Sequence, residues 1–284
     1  MNISKLGVVG GGQMGAGIAE VAAKSGTDVL VMEVNAELAE RSLDRITRSL
    51  DKAVDRGKLE ASQRDAALAK ISYTTDLAEF SDRDLAIEAV TENEQLKLDI
   101  FRALDEAMGA DAILASNTSS IPITRLGAVT ERPEAVIGMH FFNPVPVMAL
   151  MELVTTVRTD AAVADRAEGY ARDVLGKTVI RAKDRGGFVV NMLLVPYLLG
   201  GIRMYEAGVA SREDIDAGMR LGAAHPMGPL ELADFVGLDT MKLVADVLFE
   251  EFKEPFYASP PILTRLVEAG RLGRKTGQGF YSYP

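Results

Sequence analysis

Cysteine and tryptophan are absent from this 284-residue chain, and histidine occurs only twice. Without cysteine the chain has no disulfide, no thiolate nucleophile and no cysteine-ligated metal, and we predict no metal site of another kind. Basic residues are also in deficit, since 31 Lys and Arg against 41 Asp and Glu give a net charge of -10. This charge argues against a general nucleic-acid or membrane-surface binder, because both of those surfaces are negatively charged.

The sequence also has no apolar run that is long enough for a membrane span. The longest run, residues 188–202, is interrupted by Asn191, Pro196 and two glycines, and it falls short of the roughly 20 apolar residues that a span needs. It predicts a buried helix with a polar group built into it. The first residues lead into an apolar strand without a secretory signal pattern, so we expect a cytoplasmic protein.

A glycine-rich turn is the first chemical motif in the chain. Residues 5–9 form a short apolar strand, residues 10–15 read GGGQMG, and residues 16–24 suit a tightly packed helix. In this context G-x-G-x-x-G lets backbone N–H groups and a helix N-terminus approach a pyrophosphate. A turn needed only for packing is the alternative. The residues predicted to bind a dinucleotide here are Gly10, Gly12, Gln13, Met14 and Gly15.

The second predicted strand, residues 29–32, indicates which dinucleotide binds. It ends at Glu33, the spacing at which an acid bonds the ribose hydroxyls of NAD. A carboxylate there repels the 2′-phosphate of NADP, and Val34 and Asn35 offer no arginine to receive that phosphate. We therefore predict NAD as the cofactor, with NADP as the open alternative.

One histidine and one glutamate form a candidate acid–base pair. His140 directly follows the predicted strand 136–139, and Glu152 lies in the apolar run 150–154, where an unpaired carboxylate would be costly. A histidine with a carboxylate partner moves protons near neutral pH. A structural histidine beside a proline turn is the alternative. The other histidine, His225, lies in a turn between helices and is predicted to be structural.

A cluster of hydroxyl groups follows the predicted strand 113–115. Residues 116–120 read SNTSS, and they come at the strand end where open α/β sheets bind ligands. The same residues are also good turn and helix-cap formers. The pattern alone therefore leaves a ligand site and a structural turn equally open.

A polar helix face is the next candidate site. Ser49, Lys52 and Arg56 lie at spacings that share one face of the helix predicted over residues 36–56,. A Ser-Lys-Arg face suits phosphate groups. Because two aspartates are interleaved with it, a merely solvated face is the alternative.

Strand and helix patterns alternate up to residue 185 and then give way to helices alone. This order predicts an α/β fold, in which a Rossmann-type NAD-binding domain with eight strands, residues 1–185, precedes an all-α domain, residues 186–284. The helices predicted in the second domain are 188–207, 212–221, 229–235, 240–252 and 262–269.

Five segments together strongly resemble the (S)-3-hydroxyacyl-CoA dehydrogenases. The resemblance covers essentially the whole chain, in order, and single-function bacterial members of the family match it in size. It implies interconversion of a short-chain 3-hydroxyacyl-CoA and the 3-ketoacyl-CoA with a nicotinamide cofactor, by a homodimer. The segments are residues 10–15, 116–120, 140–146 (HFFNPVP), 187–191 (GFVVN) and 275–281 (KTGQGFY).

The resemblance also implies roles for single residues. His140 matches the catalytic base and Glu152 the acid that pairs with it. Ser119 and Asn191 match residues that contact the reacting end of the substrate. The implied cofactor contacts are Glu33, Glu92, Lys97, Ser119, Asn143 and Lys275, and the implied coenzyme A contacts are Ser49, Lys52 and, more weakly, Arg56.

Two positions depart from the family pattern, and two other functions compete with the implied one. Gly186 stands where proline is usual, which predicts a looser hinge, and Met192 stands where arginine often follows the asparagine. The rival functions are a dehydrogenase of a free hydroxy acid and a non-catalytic NAD-binding scaffold. The apolar face of residues 188–202 suggests a dimer interface, with cover by the first domain as the alternative.

Overall fold

The computed structural model describes residues 3–283. The chain divides into two compact units, Met1–Arg185 and Gly186–Pro284. The strands all lie in the first unit and are β1 (Lys5–Val9), β2 (Asp28–Met32), β3 (Ile71–Thr74), β4 (Leu85–Glu88), β5 (Ile113–Ser116), β6 (Val136–Phe141), β7 (Leu150–Thr155) and β8 (Thr178–Lys183).

These strands form one eight-stranded sheet in the order β3-β2-β1-β4-β5-β6-β7-β8. Strands β1 to β6 run parallel to one another, β7 runs antiparallel to β6, and β8 runs parallel to β7. Strands β4, β5 and β6 are buried along their whole lengths, which explains their near-continuous apolar sequences. Because β1, β4, β5 and β6 run parallel to one another, their carboxyl ends lie at the same edge of the sheet.

The helices of the first unit pack onto this sheet through apolar side chains such as Ile18, Ile46 and Leu50. Asn35 and Asn93 begin two of them, because each side chain accepts a hydrogen bond from the amide three residues later,. The helices are α1 (Gln13–Lys24), α2 (Ala36–Asp55), α3 (Ala61–Leu68), α4 (Glu94–Ala107), α5 (Ile123–Gly127) and α6 (Ala161–Gly169).

The second unit has its own apolar core, built from side chains such as Leu198, Leu230 and Leu248. Ser211 starts one of its helices by accepting a hydrogen bond from the Asp214 amide. The helices are α7 (Val190–Glu206), α8 (Arg212–Gly222), α9 (Pro229–Val236), α10 (Leu238–Phe252) and α11 (Pro261–Glu268).

This architecture confirms the predicted fold class, an α/β unit followed by a helical one. Two helix predictions need correction. The pattern over residues 161–175 predicts one α-helix, but the helix widens into a π-turn at Tyr170–Val174, where the buried Tyr170 hydroxyl bonds Thr27. The helix predicted from residue 188 begins at Val190 instead, because the backbone of Phe188 adopts a left-handed conformation with φ 49°.

The Gly186 position is tied to its own unit by a hydrogen bond. Its N–H donates to Glu251 Oε2 at 2.9 Å, a bond that proline could not make because it lacks the N–H group. Glycine at this position therefore gains one specific backbone contact that the usual proline would lack.

The chain's last described segment is held by two buried carboxylates. Asp234 accepts hydrogen bonds from the amides of Phe280 and Tyr281, each at 2.9 Å, and from the Tyr283 hydroxyl at 3.0 Å. Asp216 accepts from the Tyr281 hydroxyl at 2.7 Å. Because Asp234 is only 1% exposed, water cannot replace it as the acceptor for these groups.

We expect Asp234→Ala to lower the free energy of unfolding of the second unit by about 3 kcal/mol, because it leaves buried amides unpaired. Urea unfolding followed by circular dichroism measures the change. Glu250→Ala, at an exposed position on α10, serves as the control and should stay within about 0.5 kcal/mol of the parent. Equal midpoints for the two variants would contradict this role of Asp234.

Candidate active site

The glycine turn leads from β1 into α1, as the motif predicts. Gly10 has φ 92°, and a Cβ on Gly15 would lie 1.8 Å from the Gly10 carbonyl oxygen, so both positions require glycine. A Cβ on Gly12 would meet nothing within 4 Å, and α1 begins at the next residue. Open space before a helix N-terminus is what a pyrophosphate needs. These residues therefore fit the dinucleotide that the motif implies.

Glu33 lies beside this turn, one residue past β2. Its Oε1 accepts a hydrogen bond from the Gly11 amide at 2.6 Å. Arg45 on α2 also contacts Gly11, with its Nη1 3.4 Å from the Gly11 carbonyl oxygen. The sequence analysis missed Arg45, because its place beside the turn depends on how α2 packs rather than on a motif.

His140 and Glu152 are paired across the antiparallel strands β6 and β7. His140 Nδ1 lies 2.7 Å from Glu152 Oε2, and the side chains are 8% and 0% exposed. Glu152 can only accept a hydrogen bond when ionised, so the contact places the proton on Nδ1 and makes Nε2 the basic atom of a neutral ring. The pair has the arrangement of a histidine general base with its orienting carboxylate.

The hydroxyl cluster after β5 wraps around Glu92. Glu92 Oε1 accepts a short hydrogen bond from the Thr118 hydroxyl, one from the Ser120 hydroxyl at 2.7 Å and one from the Ser119 amide at 3.3 Å. Asn117 joins this loop to the end of β6, because its Oδ1 accepts from the Phe141 amide at 2.9 Å. The loop that carries Ser119 is thus fixed beside the strand that carries His140.

Lys97 reaches Glu92 from inside α4. Its ammonium group lies 3.1 Å from Glu92 Oε2 and 2.8 Å from Glu88 Oε1, and the Lys97 side chain is 1% exposed. Burial raises the pKa of Glu92, but Lys97 and the hydroxyls of Thr118 and Ser120 outweigh it and hold the pKa below its ordinary value. Glu88 was not predicted as a site residue. Like Glu152, it is a carboxylate in an otherwise apolar strand, so the same pattern could have identified it.

A cleft of about 340 Å³ lies between α1, α2 and the turn after β6. Gln13 and Asn143, both predicted to contact the cofactor, line it and are joined by a 3.0 Å hydrogen bond. Ser49 lines the cleft as well, while Lys52 lies further along α2 and Arg56 directly follows that helix, and both are exposed. Glu20 is an unpredicted lining residue, and burial raises its pKa against the opposing effects of Ser49 and Lys24.

The turn after β6 is held by a buried lysine. Lys177 Nζ donates to the carbonyl oxygens of Val145 and Met148 at 2.6 and 2.8 Å. Burial lowers the pKa of Lys177. Lys177 was not predicted, because the lysine and the turn are 29 or more residues apart in the chain.

Two predicted site residues belong to the second unit. Asn191 lies in the first turn of α7, and Lys275 forms an ion pair with Asp239 at 2.5 Å. Burial raises the pKa of Asp239, but Lys275 outweighs it and the pKa is lowered. His225 Nδ1 lies 3.0 Å from the Tyr197 hydroxyl, so this ring has a polar partner within its own unit.

Within residues 3–283, no group of three or more His, Asp or Glu side chains is arranged to hold a metal ion. In the same part of the chain, no helix has the length and apolarity needed to cross a membrane.

Comparison with protein families gives two matches that together cover nearly the whole chain. Residues 5–185 match the model of the 3-hydroxyacyl-CoA dehydrogenase NAD binding domain, and residues 187–283 match that of the 3-hydroxyacyl-CoA dehydrogenase C-terminal domain. The boundary between the two matches coincides with the division between the two compact units.

Individual relatives are similar over their full lengths. A 3-hydroxybutyryl-CoA dehydrogenase of Mycobacterium tuberculosis is 57% identical over 99% of both chains. A probable 3-hydroxybutyryl-CoA dehydrogenase of Deinococcus radiodurans is 47% identical over 98% of this chain and 100% of its own. The crystal structure of (S)-3-hydroxybutyryl-CoA dehydrogenase PaaH1 from Ralstonia eutropha has a TM-score of 0.95 at 43% identity and covers 100% of both chains.

Proposed function

We propose, since the chain belongs to the 3-hydroxyacyl-CoA dehydrogenase family, that it interconverts (S)-3-hydroxybutyryl-CoA and acetoacetyl-CoA with NAD as cofactor. The observation that carries this proposal is the buried 2.7 Å contact between His140 and Glu152, beside the loop that holds Ser119. The names of the relatives support the four-carbon substrate.

His140 acts as the acid–base group in this proposal. In the oxidative direction, Nε2 takes the proton of the substrate 3-hydroxyl group, and the imidazolium that forms is stabilised by Glu152 through Nδ1–H. In the reductive direction, the same imidazolium returns the proton to the 3-keto oxygen. Ser119 and Asn191 orient the reacting end of the substrate.

The nicotinamide cofactor supplies the hydride chemistry at C3 when it is bound. Gly10, Gly12, Gln13, Met14 and Gly15 hold its pyrophosphate, and Glu33 bonds the ribose hydroxyls, which favours NAD over NADP. Other contacts come from Glu92, Ser119, Asn143 and Lys275. The predicted contact of Lys97 with the cofactor is replaced by an indirect one through Glu92, because the Lys97 side chain is only 1% exposed and pairs with Glu92.

The coenzyme A portion of the substrate lies along α2. Ser49 lines the 340 Å³ cleft, and the exposed Lys52 and Arg56 supply positive charge for the phosphates of an anionic ligand. These local charges are needed because the chain as a whole carries a net charge of -10,.

The first test measures the oxidation of NADH and NADPH with acetoacetyl-CoA and with free acetoacetate. We expect turnover with the thioester only, with NADH favoured by about tenfold or more because Glu33 repels the 2′-phosphate. Turnover of free acetoacetate at the same rate would favour the hydroxy-acid dehydrogenase. Binding of NADH without turnover of either substrate would favour the scaffold.

We expect His140→Gln to lower kcat by about 10²–10⁴-fold, because glutamine cannot exchange a proton with the substrate. NADH titration should give an unchanged Kd, since the dinucleotide contacts are retained. His225→Gln is the matched control, as it replaces the other histidine outside the proposed site. An undiminished kcat in His140→Gln would remove the acid–base assignment.

We further propose a homodimer that forms through the second unit. Leu193 and Met204 on α7 expose 71% and 44% of their surfaces. They lie about three helical turns apart and therefore on one face, and a Cβ on Gly200 of the same stripe would meet nothing within 4 Å. Sedimentation velocity is expected to give the mass of a dimer, and Leu193→Glu should shift it to a monomer. A monomeric parent protein would contradict the proposal.

A further inference from the structure

Three charged side chains form a buried cluster at the carboxyl end of β4. Glu88 ends this strand and is 0% exposed, and Lys97 of α4 lies between it and Glu92. Glu92 in turn accepts hydrogen bonds from the loop that carries Ser119. The cluster thus directly supports the loop that carries Ser119, one of the proposed cofactor contacts, and within the proposed function we place the nicotinamide ring beside this loop.

The hydrogen bonds of Glu88 are those of a carboxylate. Val90 N–H and the Lys97 ammonium group both donate to Glu88 Oε1, at 2.7 and 2.8 Å. The Ser116 oxygen accepts from the Thr118 amide at 3.1 Å, so its hydroxyl proton points to Glu88 Oε2 at 2.6 Å. Each of these partners donates a hydrogen bond, which is the environment that suits a carboxylate.

The cluster places two acidic side chains around one basic side chain, so with all three groups in their charged forms its net charge is -1. Lys97 is the cation at the centre, and the one basic group within the cluster cannot neutralise both acids. Buried charges interact more strongly than solvated ones, since little water screens them. Glu88 lies at the end of β4 and Lys97 lies in α4, so these two elements fix the positions of both side chains.

We propose that the Glu88–Lys97–Glu92 cluster raises the affinity of this site for oxidised nicotinamide relative to reduced nicotinamide. The oxidised ring carries a positive charge and the reduced ring is neutral, so a net negative cluster attracts only the oxidised form. This inference rests on the proposed function. By linkage, the cluster shifts the equilibrium of the bound reactants toward reduction of the 3-ketoacyl-CoA.

The test compares the dissociation constants of NAD and NADH in the absence of acyl-CoA. Glu88→Gln keeps the side-chain volume and removes one charge, and we expect the ratio Kd(NAD)/Kd(NADH) to rise by about tenfold. Calorimetry gives Kd for NAD, and fluorescence titration gives Kd for NADH. A loss of affinity that is equal for NAD and NADH leaves this ratio unchanged.

Three further variants separate charge from packing. Glu92→Gln removes the same charge at a partly exposed position and should raise the ratio if Glu88→Gln does not fold. Ser116→Ala removes a hydrogen bond to Glu88 without a change of charge, and Glu106→Gln removes a charge from an exposed position on α4. Neither control should move the ratio.

An unchanged ratio in Glu88→Gln, or in Glu92→Gln where Glu88→Gln does not fold, would overturn the inference. A rise of equal size in Ser116→Ala would overturn it as well, because geometry rather than charge would then set the preference. If the parent protein bound neither NAD nor NADH, the proposed function would fail first, and the inference would fall with it.

Discussion

The antiparallel pairing of β6 with β7 is the constraint on which the proposed chemistry depends. It sets His140 opposite Glu152, and a shift of one residue in register would turn the carboxylate to the other face of the sheet. Gly138 allows this close pairing, because a Cβ there would lie 2.8 Å from the Cβ of Val154 on β7. The register and the tautomer of the histidine are therefore fixed by the same two strands.

Parallel topology accounts for the rest of the site in the first unit. The glycine turn, Glu88 and the hydroxyl loop each lie at the carboxyl end of a different strand. They converge because parallel strands bring their carboxyl ends to one edge of the sheet. The acidic side chains at this edge have two kinds of partner. Glu152 contacts the imidazole of His140, whereas Glu88 and Glu92 share Lys97, so this second group has more acidic than basic side chains.

The sequence could predict the elements and motifs of this fold but few of the contacts between distant residues. The glycine turn and the helix cap at Ser211 are local patterns, so their residues identify them directly. The left-handed backbone of Phe188 and the π-turn at Tyr170–Val174 depart from the helical pattern of their residues, which does not report them. Lys97 was expected to contact the cofactor, but its burial against Glu88 is visible only when β4 and α4 are packed together.

The same limit applies to the cleft that we propose for coenzyme A. The spacing of Ser49, Lys52 and Arg56 indicates a polar face, yet only the packing of α1 against α2 reveals that Glu20 shares the cleft with Ser49. A carboxylate there would repel an anionic ligand. Burial raises the pKa of Glu20 and so reduces the cost of holding this side chain neutral. Arg45 also lines the cleft, so a basic side chain lies there together with Glu20, and Lys52 and Arg56 add exposed positive charge toward the end of α2 and just beyond it.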